Sequence, residues 1–276
     1  MMSVRQIVRP IARRLLPPRM KEVIRLYRKL DATLDIPELL EIPPGNRVLV
    51  LAPHMDDEVI GCGGTLAKHV NKGCEVTVAI LTDGSLGDPV SEASQLQKTA
   101  RSEARTKLSE LRKNESRAAA KCLGVQDIRF LDFPDGSLGN ALGAREAVAA
   151  LIADRQPDVL YVPFITERHK DHRATAELAV ALASNLPDLL VVSYEVWNPL
   201  HATLMIDITA QIDQKHEALN CFSSQLRHND YRHTTLGLNA FWSLYHLNGR
   251  GFAEAFFAVP VRIFADIAAA VWGWRT

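Results

Sequence analysis

From Arg47 onward, short runs of apolar, largely β-branched residues alternate with segments long enough for helices. That alternation constrains the fold more than any other feature of the chain. RVLVLA at 47–52 and the run at 157–163 are the clearest strands, with others expected near 75–81, 127–132, 189–196 and 203–208. Helices are expected near 59–72, 112–123, 141–155, 172–184 and 210–221. A strand buried on both faces reads as a continuous apolar run, and strands alternating with helices pair in parallel between two helical layers. The expected fold class is therefore α/β, a mainly parallel sheet sandwiched by helices. With 276 residues, 47% of them apolar, the chain can bury one substantial core in a single domain. The polar segment 88–111 interrupts the pattern and is expected to be a helical excursion or a flap near the site. Gly61-Cys62-Gly63-Gly64 lacks the GxGxxG spacing of a dinucleotide loop, so its glycines are read as close helix–sheet packing.

Two of the strands end in clusters of ionisable groups. Pro53-His54-Met55-Asp56-Asp57-Glu58 follows the first, and Glu167-Arg168-His169-Lys170-Asp171-His172 follows the run at 157–163. In open α/β sheets ligands bind at the carboxyl ends of the strands. His54 and Asp57, three apart across a tight turn, can hold one divalent metal, leaving Asp56 free to take a proton from water. One acid would suffice to cap the helix beginning near Val59; two acids and a histidine exceed what a cap needs. Together the clusters can supply three protein ligands and an open position, the pattern of a catalytic metal.

These motifs resemble those of the PIG-L/LmbE family of zinc-dependent N-deacetylases, whose members act on N-acetylglucosamine-type sugars. Further matches are Leu81-Thr82-Asp83-Gly84, Arg112 and Glu115 in LRKNESRAAAKCLGV, and Asp135 in FPDGSL. Lys215 and Gln225 in KHEALNCFSSQ and the segment Phe252 to Phe256 complete the series. Met55 stands where the family usually has proline, a side chain that is not a ligand. The resemblance implies a Rossmann-like deacetylase domain over 46–257, between a basic amphipathic extension at 1–45 and an amphipathic tail at 258–276.

It also implies roles. His54, Asp57 and His172 would be the metal ligands, a His/His/Asp set that suits zinc with iron(II) the alternative, and Asp56 the general base, which also returns the proton to the departing nitrogen. His169 would stabilise the oxyanion, with Asp171 hydrogen-bonded to it; the competing assignment makes His169 a fourth ligand that closes the site. Arg112 would bind a substrate phosphate and Asp135 sugar hydroxyls, against an Arg112–Glu115 helix pair and a turn role for Asp135. Glu195 and Trp197 would line the pocket, with strand-end packing as the alternative. The implied activity is metal-dependent hydrolysis of the acetamide of an N-acetylated amino sugar, releasing acetate and a free amine. The rival is a catalytically inactive, membrane-associated carbohydrate-binding protein of the same fold, against which the intact ligand and base set argues.

Formal neutrality hides an asymmetry. Residues 1–30 hold nine Lys/Arg and one acid, so the remainder is acidic and nucleic acid is not an expected partner. The helical spacing of apolar residues in this extension, and Trp272 and Trp274 in the tail, suggest contact with an anionic membrane surface. Packing on the domain is the alternative at both ends. Four scattered cysteines without CxxC pairs, and no signal-peptide pattern or long uncharged run, predict a cytoplasmic protein.

Overall fold

Val48, Val50 and Ala52 of strand β2 (Arg47–Ala52) join one buried cluster, and Leu49 and Leu51 join another. Successive side chains point to opposite faces of a strand, so β2 requires cover on both sides. The structure, a computed structural model described over residues 36–87, 98–182, 185–186 and 188–273, supplies it. On one face lie helices α1 (Asp57–Asn71), α2 (Lys98–Leu123) and α5 (Ile212–Asn220). On the other lie α3 (Ala144–Arg155), α4 (Lys170–Ala181) and α8 (Val261–Trp272), with Trp242 of α7 (Tyr231–His246). The four-residue α6 (Ser223–Leu226) completes the helices among the described residues.

The other strands are β1 (Glu38–Leu40), β3 (Glu75–Thr82), β4 (Asp127–Phe133), β5 (Val159–Pro163), β6 (Leu190–Tyr194), β7 (Leu204–Asp207) and β8 (Ala253–Pro260). They form one sheet in the order β1-β7-β8-β6-β5-β2-β3-β4, in which β8 alone runs against its neighbours. From β2 the chain winds outward through β3 to β4, then returns to place β5 on the other side of β2. Connections leaving β2 and β5 therefore diverge, and a crevice opens between them at the carboxyl edge.

The expected α/β architecture stands, with differences in its parts. β8 is not among the expected strands, because FAEAFFAV is a short apolar run that fits a buried strand or a buried helix equally. The sheet also begins before residue 46, since β1 pairs in parallel with β7. The C-terminal helix α8 buries Val261, Phe264, Ile267 and Ala268, so it is docked on the domain. Residues 98–111 are helical, extending α2 well upstream of 112. Residues 88–97 of the expected 88–111 excursion or flap, residues 1–35 of the 1–45 extension, and Trp274 lie outside the described residues. Gly61 and Gly64 of α1 do mark close approach: a Cβ on Gly61 would strike the Tyr194 ring, and one on Gly64 would meet Ile208 at 2.8 Å.

Candidate active site

The two ionisable clusters meet across the crevice. Asp56 closes the β2–α1 turn with φ of 110°, a left-handed conformation costly for a non-glycine residue and characteristic of functional sites. Its backbone carbonyl starts the helix by accepting from Val59 and Ile60 N–H, while its side chain caps nothing. The carboxyl is thus left for other work. On the opposite loop, His169 caps α4 by accepting from the Asp171 N–H, and His172 follows in the first turn.

Asp57 Oδ2 lies 3.2 Å from His54 Nδ1 and 3.2 Å from His172 Nε2. Donors bound tetrahedrally at about 2.0–2.1 Å from one ion stand about 3.3 Å apart, so these spacings fit a shared cation. His172 Nε2 makes no hydrogen bond despite its burial, an orphan that a metal would satisfy. The far nitrogen of each imidazole faces a carboxylate. His54 Nε2 lies 3.2 Å from Asp171 and 3.3 Å from Asp135, and His172 Nδ1 lies 3.4 Å from Glu167. Carboxylates in that position orient metal-binding histidines. His169 is also near enough to contribute, since donor atoms of His54, His169 and His172 lie within 4.8 Å of one another. Its side chain is 40% exposed, however, which places it at the rim of the trio.

Asp56 is buried, and burial pushes its carboxyl up to about 7, against the opposing pull of the Arg112 guanidinium 3.6 Å away. Neighbouring Glu58 is pushed up to about 8, again chiefly by burial. Arg112 lines the cleft, and backbone carbonyls take up part of its guanidinium. Its guanidinium donates to the Gly84 carbonyl at 3.0 Å and the Met55 carbonyl at 2.8 Å, tying two strand-end loops together beside Asp56. It does not pair with Glu115, which accepts from Ser223 Oγ, Ser224 N–H and Ser224 Oγ and anchors α6.

Asp171 differs from expectation. Its carboxylate stands 4.0 Å from His169 Nδ1 and accepts instead from the Gly136 and Leu138 N–H groups at 2.7 and 3.0 Å. The β4–α3 loop offers two backbone donors there, and a carboxylate is better satisfied by them than by one imidazole. Asp135 on that loop accepts from Leu86 N–H and faces His54, and although burial acts to raise its pKa, the His54 contact holds it down at about 2. Glu195 does not line the cleft. It accepts from Trp242 Nε1 at 2.6 Å and Leu200 N–H at 2.8 Å, fastening the end of β6 to α7.

The crevice holds a cleft of about 400 Å³ whose lining includes His54, Asp56, Asp57, Arg112, Asp135 and His169, together with Trp197 and Tyr231. Sequence reasoning missed Tyr231, which stands alone at the start of α7, and the role of Glu167. Glu167 Oε1 accepts from three successive N–H groups, those of Val196, Trp197 and Asn198, at 2.8–3.1 Å. Through its other oxygen it joins the loop that carries Trp197 to His172.

Residues 49–183 match the family described as PIG-L, GlcNAc-PI de-N-acetylase. This stretch contains both clusters. It is a PIG-L family domain. The chain is 33% identical over 162 residues to diacetylchitobiose deacetylase of Thermococcus kodakarensis, covering 58% of this chain and 55% of that protein. It is 35% identical over 111 residues to a 1D-myo-inositol 2-acetamido-2-deoxy-alpha-D-glucopyranoside deacetylase of Kineococcus radiotolerans, covering 40% of this chain and 28% of that one. It thus spans about half or less of these curated relatives. Among solved structures, a conserved protein of Thermus thermophilus superposes with a TM-score of 0.63 at 28% identity, covering 78% of this chain and 95% of that one. The PIG-L domain thus sits on its family's α/β fold, with the donor trio at the sheet's switch point.

Proposed function

We propose that the protein hydrolyses the acetamide of an N-acetylglucosamine-type glycoconjugate, releasing acetate and a free amine, with zinc or iron(II) as cofactor. The observation that carries this reading is the buried Asp56 carboxyl, which caps no helix, beside a His54–Asp57–His172 donor trio in an open cleft. Relatives named as deacetylases of N-acetylglucosamine compounds support it. A divalent ion held by the trio would supply Lewis acidity to the carbonyl and to water. Asp56, pushed to about 7, takes a proton from the attacking water as the C–O bond forms, and returns it to the nitrogen as the C–N bond breaks. Arg112 holds the Asp56 loop in place. His169, on the cleft wall, is positioned to donate to the developing oxyanion, and Asp135 to receive a sugar hydroxyl.

The test is acetate release from a panel of free, nucleotide-linked and glycosidically linked N-acetylhexosamines, before and after chelation and metal return. No acetate from any of them with metal restored would sink the reading.

Among the described residues no helix is long and apolar enough to cross a membrane. The nine Lys/Arg in residues 1–30 support a peripheral contact with anionic lipid. Co-sedimentation with anionic and neutral vesicles tests it, and equal binding to both at low salt would refute it.

A further inference from the structure

Cys122 and Cys221 lie 99 residues apart in the sequence, and folding brings their sulfurs to 3.8 Å. Both are free and half-buried, within reach of a small reagent. The other two cysteines face backbone: Cys62 Sγ lies 3.1 Å from the Glu58 carbonyl, and Cys74 Sγ 3.7 Å from that of Gly45. A disulfide bond is about 2.05 Å long, so the pair must close by about 1.75 Å. Each sulfur stands where a helix gives way. Cys122 is the penultimate residue of α2, just before the left-handed Gly124, and Cys221 caps α5, just before the non-helical Phe222. Helix ends fray, and that freedom supplies the movement.

The surroundings already hold the two sides together. Gln214 Nε2 of α5 donates to the Cys122 carbonyl at 2.9 Å, and Glu115 of α2 takes up Ser223 and Ser224 just beyond Cys221. Both sides also lead to the cleft. α2 carries Arg112, and the chain leaving Cys221 carries Gln225, His228, Asn229 and Tyr231, all in the cleft lining. We propose that Cys122 and Cys221 form a reversible disulfide under oxidising conditions, bracing the cleft wall that runs from Gln225 to Tyr231. The oxidant is a low-molecular-weight disulfide such as oxidised glutathione. One protein thiolate attacks it and expels a glutathione thiolate; the second attacks the protein sulfur of the mixed disulfide and expels the other. Two protein thiols are oxidised, one disulfide is reduced, and the two protons end on the two glutathiones. Burial and the neighbouring thiol push Cys221 up to about 11, which makes it a poor leaving group, so the bond is slow to reopen. The brace is independent of which bond the site hydrolyses.

The full chain incubated with oxidised glutathione should lose about 2 Da by mass spectrometry, and its digest should contain a peptide joining Cys122 to Cys221. The bond closes a loop of about 100 residues and should raise the melting temperature by about 5 °C or more. Hydrogen exchange over 223–231 should slow by about 3-fold or more. Dithiothreitol should reverse all of these changes, and neither Cys122→Ser nor Cys221→Ser should show them. Thiols that stay reduced, a glutathione adduct that goes no further, a bond to Cys62 or Cys74, or a link between two chains would each overturn the proposal. So would a cross-linked protein that melts no higher, or exchanges no more slowly, than the reduced one.

Discussion

At the scale of single residues, the site divides into groups that touch chemistry and groups that hold them. On the reading proposed above Asp56 belongs to the first kind: its side chain caps nothing, and it lines the cleft from a strained, left-handed backbone. Asp56→Asn should keep the metal and lose turnover by ~10²-fold or more, because an amide cannot take the water's proton. Acetate kinetics beside metal analysis decide this, and normal turnover would remove Asp56 as the base. His172→Ala should instead lose the metal while remaining folded, as mass spectrometry of the purified protein and a melting curve would show. Full occupancy in that variant would take His172 out of the ligand set. Glu167 is of the second kind, and Glu167→Gln should weaken metal affinity by roughly 10–100-fold, as changes beside a ligating histidine do. Unaltered metal affinity would leave it as an anchor for the Trp197 loop alone.

Between elements, the Lys215–Glu254 pair ties the helix that carries Asp57 to the elements around it. Lys215 Nζ is fully buried and donates to Glu254 at 2.6 Å, to the Ile60 carbonyl at 2.9 Å and to Asn239 at 3.1 Å. Glu254 in turn accepts from the Gly64 and Thr65 N–H groups, where α1 kinks at Cys62. One cation thus ties α5, the break in α1, α7 and β8 together. Lys215→Met should destabilise the protein by about 3–5 kcal/mol, since it leaves a buried carboxylate without its counter-charge. Urea unfolding measures this, and a loss below about 1 kcal/mol would show that the two backbone donors satisfy Glu254 unaided. The motif residues Lys215 and Glu254, legible in the sequence only as matches, thus have a structural reason.

The molecule as a whole carries its own pH dependence. His69 of α1 is fully buried against the Tyr161 hydroxyl at 2.9 Å, and burial lowers its pKa to about 4. The folded state therefore resists a proton that the unfolded chain accepts near 6.5. Stability from this group is intact above that value and declines as pH falls toward about 4, by about 3 kcal/mol in all. His69→Gln keeps a partner for Tyr161 and cannot titrate, so its unfolding free energy should fall less between pH 6.5 and 4 than that of the parent protein. Parallel curves would show that His69 is not the group responsible.

What the sequence determined by itself was local. Arg47–Ala52 and the run at 157–163 announce buried strands because continuous apolar runs report burial on both faces. The clusters that follow announce chemistry because four or more ionisable groups at a strand end exceed what a helix cap needs. Neither signal depends on distant residues. Tertiary structure alone decided which strands became neighbours. Placing β5 beside β2 brought His172 to within 3.2 Å of Asp57, across more than a hundred residues. The same packing committed Arg112 to the Met55 and Gly84 carbonyls, turned Asp171 toward Gly136 and Leu138, and drew Glu195 to Trp242 instead of the cleft. A polar side chain's partners are whichever donors and acceptors burial leaves unsatisfied nearby, and spacing along the chain does not say which those are.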